Sequence, residues 1–177
     1  MPRIPEETRV QVRPAVVEDG ERLTEIDNLT WSTDVTPTPR WDPEKVFFPD
    51  AADVRNVLVA HDGDDVVGYI RMRPSPFGPI SAHVQHVDGL AVHPAHQGRR
   101  TGRALMEAAE REARRRGARR ITLRVLGGNV PARALYRSCG FVIEGVLEGE
   151  FLIAGRYVDD VLMALDVTDG SWPSPRT

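Results

Sequence analysis

The stretch HPAHQGRRTGRALM, residues 93–106, constrains this chain more than any other. A loop of small and basic residues runs straight into a helix-forming sequence. The first turn of a helix carries backbone N–H groups with no intrahelical acceptor, so such a junction is a ready anion site. Gly98 and Gly102 let the backbone turn tightly and approach a ligand where a Cβ would obstruct it. Arg99, Arg100 and Arg103 add fixed positive charge. A ligand bearing a polyphosphate suits that combination. Glycine and arginine also precede helices in loops that bind nothing, so the flanking segments decide.

Upstream, GLAVHP continues an apolar strand, with Leu90 and Val92 on one face and Ala91 on the other. Downstream, Ala104, Leu105, Ala108, Ala109 and Ala113 recur at the spacing of an amphipathic helix. Glu107–Arg111, Glu110–Arg114 and Glu112–Arg116 fall at i,i+4 on its wet face. Arg114, Arg115 and Arg116 complement the negative helix end, and Gly117 stops it. Those arginines need no nucleic acid to explain them. The whole chain carries net charge −3, which offers no general basic field.

A second patterned segment, NVPARALYRSCGF, lies at 129–141. Asn129 is placed to cap a helix, Pro131 is tolerated in its first turn and Gly140 ends it. Ala132 and Leu135 face one way, and Phe141 opens the next strand. Tyr136 taken alone reads as a core tyrosine.

Length and composition bound the rest. At 177 residues the chain has the size of one domain, able to bury roughly 70% of its unfolded surface. Residues 1–167 read as that domain and 168–177, with Gly170, Pro173 and Pro175, as a loose tail. The single cysteine, Cys139, excludes an intramolecular disulfide and a cysteine-rich metal site, and no metal is expected. No apolar run approaches bilayer length, and MPRIPEETRV lacks a signal-peptide core. The expected setting is cytoplasmic, with no membrane and no nucleic acid as partner.

Strands are expected at 10–12, 56–60, 66–72, 86–92, 121–126, 141–145 and 157–165. Helices are expected at 17–28, after the glycine–arginine loop, and from Asn129. Asp62-Gly63 is a hairpin signal. Residues 30–52 are irregular and carry Trp31, Trp41, Phe47 and Phe48. This order gives an α/β fold (α+β in some schemes): a mixed central sheet with helices on both faces.

The two patterned segments resemble the GNAT superfamily of N-acetyltransferases. Its loop signature, Gln/Arg-x-x-Gly-x-Gly/Ala, corresponds to Gln97, Gly98, Arg99, Arg100, Thr101 and Gly102, with Arg100 where glycine is usual. Its downstream pattern, N-x-x-A-x-x-L-Y-x-x-x-G-F, is met by Asn129, Ala132, Leu135, Tyr136, Gly140 and Phe141. The resemblance covers nearly all the predicted elements. It implies a single domain whose two parallel central strands, 86–92 and 121–126, splay apart to admit the pantetheine arm of acetyl-CoA. The loop through Arg103, with Asn129, Ala132 and Tyr136, would hold that co-substrate. GRYVDDVLMAL is similar to the closing strand of the branch that acetylates amino acids and related small amines.

The implied chemistry is attack of an amine on the thioester, formation of a tetrahedral oxyanion, and departure of coenzyme A as a thiolate. Backbone N–H groups around Leu90, Ala91 and Val92 would stabilise the oxyanion, one such donor being worth roughly 3–4 kcal/mol. Tyr136 would protonate the thiolate. His86 occupies the place where several family members keep a glutamate base, and Asp88, on the same strand face, is its rival. A satisfied strand histidine is the plain alternative for His86.

Two further classes compete. One is a non-catalytic module that binds acyl-CoA, favoured by Arg100 and opposed by Tyr136 and Asn129. The other is a nucleotide-binding enzyme, opposed by the missing Gly-Lys-Ser/Thr and Gly-x-Gly-x-x-Gly patterns. The acceptor, a small-molecule or peptide amine, stays open, as does a homodimer. Its expected walls are 30–52, with Trp31 and Trp41, and the SPFGPISA loop at 75–82.

Overall fold

The computed structural model describes residues 10–38 and 46–168. Trp41 and the tail beyond Thr168 lie outside the described residues, as do residues 1–9. The elements, in chain order, are β1 (Gln11–Pro14), α1 (Gly20–Thr30), α2 (Ala51–Val54), β2 (Val57–Asp62), β3 (Asp65–Pro74), β4 (Val84–Val92), α3 (Thr101–Arg115), β5 (Arg120–Leu126), α4 (Val130–Ser138), β6 (Val142–Ile153) and β7 (Arg156–Asp166). They build one seven-stranded sheet in the order β1-β2-β3-β4-β5-β7-β6. All neighbours run antiparallel except β4 and β5. The α3 crossover makes that one parallel pair possible. Among the described residues no helix is long and apolar enough to cross a membrane.

The periodicity of each element sets the layers. Leu105, Met106, Ala108, Ala109 and Ala113 of α3 are buried on one sheet face with Ile70, Met72, Ile121, Leu123, Met163 and Tyr136. Leu23 and Ile26 of α1 pack on the opposite face with Phe47, Val59, Tyr69 and Ala91. Each buried leucine, isoleucine or phenylalanine contributes about 1.5–3 kcal/mol of transfer free energy. Glycine matters at Gly68, where a Cβ would stand 2.8 Å from the Ala91 carbonyl oxygen.

Several boundaries differ from the sequence expectation for identifiable reasons. The expected 17–28 helix is divided into a 3-10 turn, Val17–Asp19, and α1. There the Asp19 carboxylate accepts the Val16 amide at 2.9 Å and both guanidinium nitrogens of Arg13 at 2.8 and 2.9 Å. The first hairpin turns at Gly63-Asp64, with Asp62 paired to Asp65 and Gly63 at φ +60°. Glu107 pairs with Arg103 at 3.8 Å, one turn towards the N-terminus, in place of Arg111; the Glu110–Arg114 and Glu112–Arg116 pairs form at 2.7 Å. The largest correction is β6, expected to end at 145 and observed to run to Ile153. It is an edge strand with two register irregularities and side chains exposed on both faces, so VIEGVLEGEFLI lacks clean alternation.

Candidate functional site

The parallel pair comes apart in the middle of the sheet. Val84–Val87 of β4 pair with Arg120–Leu123 of β5, and there the pairing stops, although β4 continues to Val92 and β5 to Leu126. A β-bulge coincides with this point. On β3, Arg71 pairs with Gly89 and Met72 with Val87, which leaves Asp88 as the extra residue. Beyond the bulge, the His93 amide donates to the Val67 carbonyl at 2.8 Å. Antiparallel alternation then turns the amides of Ala91 and Gly89 towards β3 and those of Leu90 and Val92 into the opening. Of the expected trio, Ala91 is directed elsewhere: its amide faces β3, where it pairs with Tyr69. The Val92 carbonyl, which faces the same way as its amide, accepts the Gln97 side-chain amide at 3.0 Å.

At the end of β4 the chain passes a 3-10 turn, Pro94–His96, and the loop that opens α3. Gly98 has φ +75° and Arg100 φ +64°, so Arg100 adopts the left-handed conformation that glycine takes freely. Among the described residues, the backbone amides from Gly98 to Arg103 have no hydrogen-bond acceptor, whereas Ala104 begins the helical ladder by bonding to Arg100. Thr101 is buried and donates its hydroxyl to the His96 carbonyl at 3.1 Å, tying the loop to the helix. Arg99 and Arg100 are exposed. Arg103 is turned away, donating to the Ser138 carbonyl at 3.1 Å. A Cβ on Gly102 would stand 3.0 Å from Leu135 Cδ2, so this glycine also sets the approach of α3 to α4.

Asn129 caps α4 as its sequence position implies, its Oδ1 accepting the Ala132 amide at 3.2 Å. Gly140 ends the helix with φ +91°. Ala132 and Leu135 pack against the α3-side core, where Tyr136 lies 6.0 Å from the Phe141 ring. Tyr136 is 8% exposed, and its hydroxyl has no hydrogen-bond partner among the described residues. Burial, with the nearby Cys139, pushes its pKa up to about 12.

His86 and Tyr136 lie on opposite faces of the sheet. Val87, beside His86, belongs to the Tyr136 core, and so do Ile121 and Leu123, which flank Thr122. His86 Nδ1 is 3.1 Å from Thr122 Oγ1, within the paired part of the strands. Burial lowers its pKa; Asp88 opposes that shift and Arg124 adds to it. Asp88 shares this face but is held: Oδ1 accepts from Arg71 Nε at 2.8 Å, and Oδ2 lies 2.9 Å from Arg73 Nε. Arg71 also stacks over Phe47, its guanidinium carbon 5.9 Å from the ring centre. Next to them Tyr69, buried, donates its hydroxyl to Asp27 of α1.

Arg71, Arg73, Tyr69 and Asp27 did not emerge from the sequence as site residues. The alternation Tyr69-Ile70-Arg71-Met72-Arg73 was the available signal, since it places two arginines and a tyrosine on one strand face. A cavity of about 390 Å³ opens where β5 ends, lined by Thr33, Asp34, Gly127, Tyr157 and Asp159 among others. Of the two expected acceptor walls, the 30–52 segment contributes to it; the 75–82 loop joins β3 to β4 at the paired end of the parallel strands.

Comparison with known proteins agrees with this geometry. The sequence profile of the Acetyltransferase (GNAT) family matches residues 21–141. An L-methionine sulfoximine/L-methionine sulfone acetyltransferase of Salmonella typhimurium is 30% identical over 118 residues, 66% of this chain and 68% of the relative. A Streptococcus mutans protein superposes with a TM-score of 0.80 at 27% identity, covering 89% of this chain and 99% of that one. A Salmonella typhimurium protein solved with its cofactor acetyl-CoA gives a TM-score of 0.78 at 23% identity, covering 95% and 99%.

Proposed function

Because the chain belongs to the acetyltransferase (GNAT) family, we propose that it moves an acetyl group from acetyl-CoA to a small-molecule primary amine by direct attack. The observation that carries this reading is the break in the β4–β5 pairing beside a helix N-terminus with unused amides. Acetyl-CoA, when bound, supplies the activated thioester. The amides from Gly98 to Arg103, with exposed Arg99 and Arg100, fit its pyrophosphate; Gln97 and Thr101 hold that loop in shape. Leu90 and Val92 offer N–H donors in the opening, where negative charge on the acyl oxygen would be stabilised. Tyr136, kept protonated by its raised pKa, is the acid for the departing sulfur. His86, on the other face, takes the amine's proton. Asn129 and Ala132 act through the helix they start.

The acceptor reading rests on the named substrate of the Salmonella relative and on the cavity with Asp34, Asp159 and Tyr157, whose carboxylates suit an ammonium group. A side chain at Gly102 would meet Leu135 before it met a ligand. Arg99→Glu and Arg100→Glu test the loop's charge without that contact. Calorimetry should show acetyl-CoA affinity falling at least about tenfold in the double variant, the charge-assisted contacts being the strong ones. Free-thiol release with an amine panel should depend on acceptor. Unchanged affinity, or thiol release indifferent to every amine, would overturn the assignment.

A further inference from the structure

The bulge in β4 has a clasp that the chemistry above does not use. Asp88 is the residue without a partner on β3, and its carboxylate reaches back to β3 on both sides of the irregularity. Arg71, opposite Gly89, lies beyond the bulge; Arg73, opposite His86, lies before it. One oxygen of Asp88 meets each: Oδ1 accepts a hydrogen bond from Arg71 Nε at 2.8 Å, and Oδ2 forms an ion pair with Arg73 Nε at 2.9 Å in which the N–H is not aligned for a hydrogen bond. Arg73 is anchored in turn by Asp53 of α2 at 3.3 Å, and Arg71 by the Phe47 ring. Gly89 makes room for this: a Cβ there would stand 3.3 Å from Tyr69 Cε2 and 3.6 Å from Arg71 Nη2.

We propose that Arg71, Asp88 and Arg73 form a positioning clamp that locks the β4 bulge and thereby directs the Leu90 and Val92 amides into the opening. The physical reason is strand parity. A bulge disrupts the ladder, and closing it by a one-residue slip would reverse every group that follows. Gly89 and Ala91 would then present their amides to the gap, while those of Leu90 and Val92 turned to β3. Apolar packing opposes the slip only in part, since it would exchange the small Ala91 on one face with the partly buried Leu90 and Val92 on the other. The ion clamp ties the extra residue to two fixed points of β3 and blocks it. Asp88 is thus a positioning residue, not the proton acceptor.

This inference rests on the acetyl-transfer reading for its consequence, but its structure can be tested apart from activity. Amide hydrogen exchange by NMR on Asp88→Asn, Arg73→Gln and the double variant should show faster exchange along β4 from Val87 to Val92, with α3 unaffected. Each single variant should lose kcat by up to about 10²-fold, as small misplacements do. The double variant should be no worse than the worse single one, because both break one device. The limb of the pH–rate profile should persist in Asp88→Asn, moved to lower pH because Asp88 no longer opposes the effect of burial on His86. Arg73→Lys, a milder change, should fall between wild type and Arg73→Gln if the stronger variants fold poorly. Unchanged β4 exchange in all variants, multiplicative losses in the double, or disappearance of the limb in Asp88→Asn alone would each overturn the clamp. Altered exchange in a protein that acetylates no amine would leave the clamp standing and remove the functional reading instead.

Discussion

At the scale of single residues, the clearest case is Tyr136. Its ring is buried, and its hydroxyl makes no hydrogen bond to the described residues, so no contact of the fold depends on that O–H. Tyr136→Phe keeps the ring and its packing on Phe141. The variant should match the parent within about 1 kcal/mol in urea unfolding, yet lose roughly 10²-fold in kcat with acetyl-CoA affinity unchanged. Retained kcat where chemistry limits the rate would show that sulfur departure needs no acid. His86 differs because its charge state matters. Burial favours the neutral imidazole, so a base at this position works at lower pH than an ordinary histidine of about 6.5. The kcat/KM profile should therefore rise through a limb below that value, and His86→Ala should remove the limb and slow the reaction most above it, where the wild-type imidazole is neutral and can accept a proton. A profile identical in the two proteins would return His86 to a plain contact with Thr122.

At the scale of elements, α3 shows how one helix serves two ends. Its N-terminus carries the open amides; its C-terminus is closed by Glu112, which accepts from Arg115 at 2.7 Å and from Arg116 at 2.7 Å. Arg116 continues to the Arg55 carbonyl at 2.7 Å and to Gln85 at 3.3 Å, linking the helix to β4. The Arg115 hydrogen bonds, then Arg116, lower the Glu112 pKa to about 2. A carboxylate depressed in the folded state stabilises it above its unfolded pKa and loses that effect as pH falls through the folded value. Glu112→Gln should thus lower Tm at neutral pH, and the difference should shrink below about 4.3 and vanish near pH 2. A Tm difference that stays constant across that range would mean that packing, not charge, holds the helix end. The sequence placed Glu112 with Arg116 by i,i+4 spacing; Arg115 joins them at i,i+3, the other helical spacing that brings side chains together.

For the whole molecule, the seven-stranded sheet is split into two blocks whose strands pair, among the described residues, at four positions of β4 and β5, and the candidate site is the place where they part. Much of this was legible in the sequence because it rests on local rules. Asn129 caps because its side chain reaches the N3 amide, Gly98 turns because it lacks a Cβ, and the α3 stripe buries because its period is helical. Arg100 shows the same logic under strain: the loop requires a left-handed residue there, and arginine complies at φ +64°. What the chain determines through neighbours in sequence could be read. The tertiary structure alone decided the rest. A bulge is invisible in a period-2 pattern, since HVDGLAV alternates acceptably in either register; only pairing with β3 reveals that Asp88 is supernumerary and that Leu90 and Val92 face the opening. The separation of His86 from Tyr136 onto opposite faces follows from the same pairing, and the length of β6 from its partnership with β7. Strand partners set these directions because a backbone amide has no preferred side until a neighbouring strand takes one of them.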